Sequence, residues 1–206
     1  MGKIDFKKTL KEFYGGTDKN FAIVEVPRLQ FVMVDGEGAP GNDTYALALK
    51  WLYAISYGLK FMSKNDLGKD YVVSPLEGLW WADDMSVFRK RSKDQWLWTM
   101  MLMQPDWIDA GMFEHALDKA KIKFGEPPAS LRLAWFEEGL SVQILHIGPY
   151  ADEGPVIARL HESFLPENNL VENGHHHEIY LGDPRRTAPE KLKTILRHPV
   201  KRVGAG

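Results

Sequence analysis

The chain has 206 residues, enough for one large domain or two small ones, and a chain of this length buries roughly 70% of its unfolded surface, so a self-sufficient core is expected. Apolar residues make up 44% and charged residues 26%, which excludes intrinsic disorder. Twenty-six basic against 28 acidic side chains leave a net charge of −2, the wrong balance for a protein that holds nucleic acid by neutralising phosphates, and the absence of cysteine excludes disulfides, thiolate metal sites and cysteine nucleophiles. No stretch approaches the ~18 apolar residues of a membrane span, and the polar start Met1-Gly-Lys-Ile-Asp-Phe-Lys-Lys is no signal peptide, so a cytoplasmic protein without a membrane partner is expected. Twelve percent aromatic residues, with seven Trp and eight Met, is rich for a domain of this size; such rings read first as core filling and, as the alternative, as a ligand pocket with flat, polarizable walls.

Residues 1–19 are charged and turn-rich and read as an amphipathic arm. Ala22-Ile-Val-Glu-Val is the first strand signal, resuming at Leu29-Gln-Phe-Val-Met-Val after the Pro27-Arg28 interruption. After the loop Asp35–Gly41, Asn42, Asp43 and Thr44 are N-cap residues for a helix to about Met62, with Leu47, Leu49, Trp51, Leu52, Ile55 and Leu59 as its apolar stripe. Tyr71–Trp81 reads as a strand bent at Pro75, Asp83–Asp94 as a polar, basic connection, and Gln95–Met103 as a third strand with Trp96, Trp98, Met100 and Leu102 on one face. A linker helix from about Asp109 to Phe124 follows, closed by Gly125-Glu-Pro-Pro.

The second half repeats the order. Leu131–Ile147 reads as a hairpin turning at Glu138-Gly139, Gly148-Pro-Tyr-Ala-Asp-Glu opens a helix to about Phe164, and His175–Leu181 and Lys191–Arg197 are strands. Strand, helix, strand, strand thus occurs twice, at about 20–104 and 130–200, the mark of an α+β fold whose two modules join about a pseudo-two-fold axis and leave a concave centre.

Few features carry chemistry. Gly36-Glu-Gly-Ala-Pro-Gly41 is a literal GxGxxG, but no acidic residue ends a strand about 20 positions on, so it reads as a helix lead-in and not a dinucleotide site. In His175-His-His177, only His175 and His177 would share a face and a metal, with a third ligand needed from His146 or His161; the run reads as a solvated loop entering a strand, and no metal is assigned. His115 and His198 have no companions in the sequence, and Arg89-Lys-Arg-Ser-Lys93 reads as a solvated loop. The carboxylates are more informative. Glu77 shares a face with Leu79 and Trp81, and Glu178 with Tyr180; an acid among large apolar and aromatic residues is costly if buried unpaired, and its raised pKa then suits acid–base work or a cationic ligand.

His146-Ile-Gly-Pro-Tyr150 leading into a helix, and His177-Glu-Ile-Tyr-Leu-Gly-Asp-Pro184, resemble the second half of GyrI-like small-molecule-binding domains. Val34-Asp-Gly-Glu-Gly38 before a helix, and Pro75-Leu-Glu-Gly-Leu-Trp-Trp81, resemble the first half in stand-alone members, so the resemblance spans about residues 20–200. It implies a duplicated β-α-β-β (SHS2-type) fold with a central aromatic pocket. Related domains sense drugs in MerR-type and AraC-type regulators, where the carboxylate matching Glu178 meets cationic aromatic ligands at the pocket centre; other members are associated with gyrase inhibition, and some stand-alone members hydrolyse cyclopropanoid DNA-alkylating natural products. The 19 residues before the fold are too few for a helix-turn-helix, so direct nucleic-acid contact is not expected.

The function this implies is binding and hydrolysis of planar, electrophilic cyclopropanoids, protecting the cell, without a cofactor. Such a reaction needs aromatic faces, a base to activate water and a donor for the developing phenolate. Trp80, Trp81, Trp96, Trp98 and Trp135 are candidates for the faces, though alternation along the strand lets only one of Trp80 and Trp81 face a pocket. Glu178 is the candidate base, Tyr150, Tyr180 or His146 the donor, with Tyr150 assigned to catalysis and Glu77, His146 and Tyr180 to binding substrate. The alternative is a non-catalytic protein that sequesters or senses planar cationic drugs, or, less favoured by the residues, a gyrase-interacting inhibitor.

Overall fold

The computed structural model describes residues 2–82 and 95–204, so the Asp83–Asp94 connection and its basic run Arg89–Lys93 lie outside the described residues. The chain is mixed α+β with antiparallel strands throughout its ladders, and it divides into two compact units: Met1–Thr9 with Leu29–Phe136, and Leu10–Arg28 with Glu137–Gly206. Among the described residues no helix is long and apolar enough to cross a membrane.

In the first unit, β2 (Leu29–Glu37), β3 (Leu76–Trp81), β4 (Leu97–Gln104) and β5 (Arg132–Phe136) pair in the order β3-β4-β2-β5. A short helix, α1 (Phe6–Thr9), precedes them, and Ile4 bridges to Tyr71. The strand expected over Tyr71–Trp81 is shorter than its pattern: only Leu76–Trp81 pairs as a strand, because Pro75 has no N–H to give a ladder. Helix α2 (Asp43–Asp66) begins where the glycine run ends: Asn42 Oδ1 accepts from the Tyr45 N–H at 2.7 Å, and its Nδ2 donates to the Glu37 carbonyl at 3.3 Å. Its buried stripe is Ala48, Trp51, Leu52, Ile55 and Leu59; Leu47, expected on that stripe, lies at its margin and is exposed. Helix α3 (Ala110–Phe124) is capped by Asp109, whose Oδ1 accepts from the Met112 N–H at 2.8 Å, and it packs on α2 through the Phe124 and Trp51 rings, 5.9 Å apart.

In the second unit, β1 (Ala22–Val26), β6 (Gly139–Ile147), β8 (His176–Tyr180) and β9 (Lys193–Arg202) pair in the order β1-β6-β9-β8, with β7 (Leu170–Glu172) on the far end of β9. The hairpin expected over Leu131–Ile147 is not formed. β5 pairs with β2, and β6 pairs with β1 and β9, because the Glu138 side chain at the supposed turn is buried and bonded to β8 and β9. The helix expected to end near Phe164 is α4 (Gly154–Arg159), a π-helical turn (Leu160–Phe164) and α5 (Leu165–Glu167) in unbroken succession. Its apolar side, Leu160 and Leu165, packs with Val142, Leu170 and Val200, and Phe21, Leu140 and Phe164 close that core.

Candidate functional site

Alternation along β8 divides its side chains between two environments. His177 and Ile179 point one way and are buried; His176, Glu178 and Tyr180 point the other and are half-buried. Register then places Glu178 beside Leu196 and Tyr180 beside Thr194, and Thr194 in turn beside His146 of β6, so Glu178, Tyr180, Thr194 and His146 share one face of the sheet.

The loop after β6 brings the remaining groups. Gly148 (φ +142) makes a turn that residues with a Cβ rarely adopt, its N–H donates to the Leu192 carbonyl at 3.0 Å, and the His146 Nε2 bonds to the Pro149 carbonyl at 3.1 Å. The His146 ring thus holds the loop that carries Tyr150. Tyr150 meets Tyr180 edge to face with ring centroids 5.6 Å apart. Burial, then the Glu178, Glu153 and Asp183 carboxylates, raise the Tyr150 pKa and keep its hydroxyl a donor at neutral pH.

Glu153, which sequence reasoning did not single out, is the most perturbed group here. It stands immediately before α4, with Pro155 in the helix's first turn, and is buried. Burial and then the Glu178 charge push its pKa up to about 9, against a smaller opposing influence from the Thr194 hydroxyl. Its Oε1 is buried with no hydrogen-bond partner among the described residues. The acid two residues before the helix-starting Pro155 was the signal available in the sequence. A carboxyl held neutral beside a second carboxyl is the arrangement that divides acid and base roles between two like groups.

The other face of β8 is structural. The His177 Nδ1 lies 2.8 Å from Glu138 Oε1, Arg197 Nη1 donates to Glu138 Oε2 at 2.9 Å, and Arg197 Nε donates to Gln143 Oε1 at 2.9 Å. Gln143 Nε2 donates in turn to the Glu12 and Gly15 carbonyls at 2.8 and 3.1 Å. Burial alone would raise the Glu138 pKa, but His177 and Arg197 outweigh it and hold the carboxyl at about 2. The solvated loop expected for His175–His177 is therefore corrected: only His175 is exposed, His177 belongs to this buried network, and His176 bonds through Nδ1 to His198 Nε2 at 2.7 Å and through Nε2 to Glu178 Oε1 at 3.1 Å. His198, without a companion in the sequence, has two in the structure, His176 and His161.

The remaining predicted residues lie in the first unit. Trp80 stacks on Tyr45 of α2 and meets Trp96 edge to face, with centroids 6.3 and 5.7 Å apart, and Trp98 meets Tyr45 at 5.4 Å. Trp98 is fully buried over Gly36, and its Nε1–H donates to the Gly38 carbonyl at 3.3 Å. Of the neighbours Trp80 and Trp81, Trp80 points toward α2, and Trp81 shares the opposite side with Glu77. Glu77 is buried in β3, while Trp135 on β5 is 46% exposed.

A family model described as the GyrI-like small molecule binding domain matches residues 19–201. Among solved structures, an uncharacterized conserved protein from Listeria innocua is 41% identical over 97% of this chain and 100% of its own, with a TM-score of 0.89. A protein described as a hydrolase from the same organism is 42% identical over the same shares, with a TM-score of 0.84. The EcmrR C-terminal domain, 12% identical over 89% of this chain and 98% of its own with a TM-score of 0.55, shares the fold alone. A search of the curated proteins found no match.

Proposed function

We propose that this chain, which belongs to the GyrI-like small-molecule-binding domain family, binds planar aromatic molecules and hydrolyses strained electrophilic ones, cyclopropanoids foremost, as a means of cellular protection. The observation that carries the reading is the Glu153–Glu178 pair, in which burial and then the neighbouring Glu178 charge keep the Glu153 carboxyl protonated. The 42% identity to a Listeria innocua hydrolase supports a hydrolytic reaction. The like strand orders β3-β4-β2 and β8-β9-β6, in each of which a helix follows the first strand in sequence (β2 or β6) and precedes the other two, support a duplicated β-α-β-β architecture.

In this reaction Glu178 takes a proton from water, and the water oxygen bonds to a cyclopropane carbon. The ring C–C bond breaks, and its electron pair passes into the conjugated carbonyl. The carbonyl oxygen, becoming a phenolate, takes a proton from Glu153 or Tyr150, and transfer of the Glu178 proton restores the starting state. Tyr150 and Tyr180 offer ring surface beside these acids, and release of ring strain lowers the barrier the site must meet.

The experiment is incubation with a dienone-conjugated spirocyclopropane in ¹⁸O-water. The proposal expects a product heavier by one labelled water. The same tyrosine rings and carboxylate also suit a lipophilic cation, so a second reading is a binding protein without turnover. Saturable quenching of tryptophan fluorescence with no labelled product selects that reading.

A further inference from the structure

We infer that the second unit carries a binding site for a divalent transition-metal ion of the zinc type, with His161, Glu172 and His198 as its ligands. One ring nitrogen each from His161 and His198 and one carboxylate oxygen of Glu172 lie within 4.8 Å of one another. Bound to zinc at about 2.0–2.2 Å in tetrahedral geometry, such donors stand roughly 3.3–3.6 Å apart. The gap closes by rotation of the two outer side chains, His161 and Glu172, which are 30% and 52% exposed and already paired at 2.7 Å.

Three features of the chain favour a ligand set over an ordinary ion pair. His161 sits in the π-helical turn Leu160–Phe164, a local widening that turns its ring toward His198, with centroids 4.9 Å apart. His198 is buried at the base of the cluster on β9. Its tautomer is set by a chain of donations: His176 Nε2–H donates to the Glu178 carboxylate at 3.1 Å, so His176 Nδ1 accepts, and His198 Nε2–H donates to it at 2.7 Å. That order leaves His198 Nδ1 as a lone pair. A ligand histidine whose other N–H is held by a second group, itself held by a carboxylate, is the outer-shell pattern of protein metal sites.

Two imidazoles and a carboxylate suit zinc or its neighbours in the first transition row better than calcium or magnesium, and three protein ligands leave the fourth position to water. The exposed Glu172 edge supplies the path of entry. None of the three ligands takes part in the proposed reaction, although Glu178 holds His176 behind His198; metal binding is read without turnover, so failure of one proposal is distinguishable from failure of the other.

The test is titration of tag-free, chelator-stripped full chain with Zn²⁺ by calorimetry, and with Co²⁺ by visible absorption. The expected result is one ion per chain and the d–d bands of four-coordinate cobalt. His161→Gln and Glu172→Gln, at partly exposed positions, each weaken binding at least tenfold. His176→Gln weakens it by roughly 10–100-fold, the scale of an outer-shell partner. His175→Gln, at the exposed neighbour, leaves it unchanged. No saturable binding, or binding that survives both His161→Gln and Glu172→Gln, overturns the proposal. Loss of binding on His175→Gln with those two variants intact assigns the ion to the histidine run and overturns it equally.

Discussion

Glu138 and Arg197 face each other at 2.9 Å with side chains 2% and 3% exposed, and His177 bonds to the same carboxylate from β8. Through His177 and Arg197 the buried Glu138 carboxylate ties β8 to β9 on the side of β8 opposite Glu178. Removing one partner strands a buried charge, so Glu138→Gln and Arg197→Met are each expected to cost about 3–5 kcal/mol, and the double variant less than their sum. Urea unfolding of the four proteins checks this. Single variants within 1 kcal/mol of the parent, on the order of a surface pair, contradict the network's structural role.

Glu153 makes stability depend on alkaline pH. Its folded pKa, near 9, lies above its ordinary value of 4.5, so between those values the native state holds a proton that the unfolded state has released. Its stabilisation is complete below pH 4.5 and is lost as pH rises through 9. His198, with a lowered pKa, acts in the opposite direction only below about 6.5, and Glu138 only below 4.5, which leaves pH 7–9 to Glu153. Stability should fall across that window by on the order of 1 kcal/mol per pH unit, and Glu153→Gln should flatten the slope. Denaturant midpoints at pH 7, 8 and 9 decide it; an equal slope in the variant rules out the raised pKa.

Gly36 lies under the indole of Trp98, where an added Cβ would collide with the ring. Gly36→Ala is therefore expected to destabilise by roughly 1–3 kcal/mol through overpacking, although the position is extended and tolerates any backbone substitution. Relief by Trp98→Leu in the same background, read by thermal unfolding, identifies the ring as the cause.

The parts of the fold that were legible in the sequence are those written in short-range chemistry. Strands β2, β4 and β8 alternate or run apolar between breakers, Asn42 and Asp109 are capping residues, and the side of β8 that carries Glu178 with Tyr180 follows from a period of two. What was not legible depends on register between distant strands. Glu138-Gly139 has the composition of a hairpin turn, and only the approach of His177 and Arg197 makes Glu138 a buried anchor. His198 gains His176 as a partner because β9 lies beside β8 in one particular register, 22 residues apart in sequence. Glu153 looks like a surface acid beside Asp152 until the chain folds and buries one and not the other.

In the proposed reaction Glu178 acts as a base beside a protonated Glu153. The most direct measurement is the single-turnover rate of cyclopropanoid hydrolysis by Glu178→Gln, with ligand affinity measured on the same protein. The expected result is a rate lower by about 10²-fold or more with affinity within a few-fold of the parent, the signature of a lost acid–base step. Turnover at the parent rate would contradict the account, and so would a variant that loses affinity while keeping its rate.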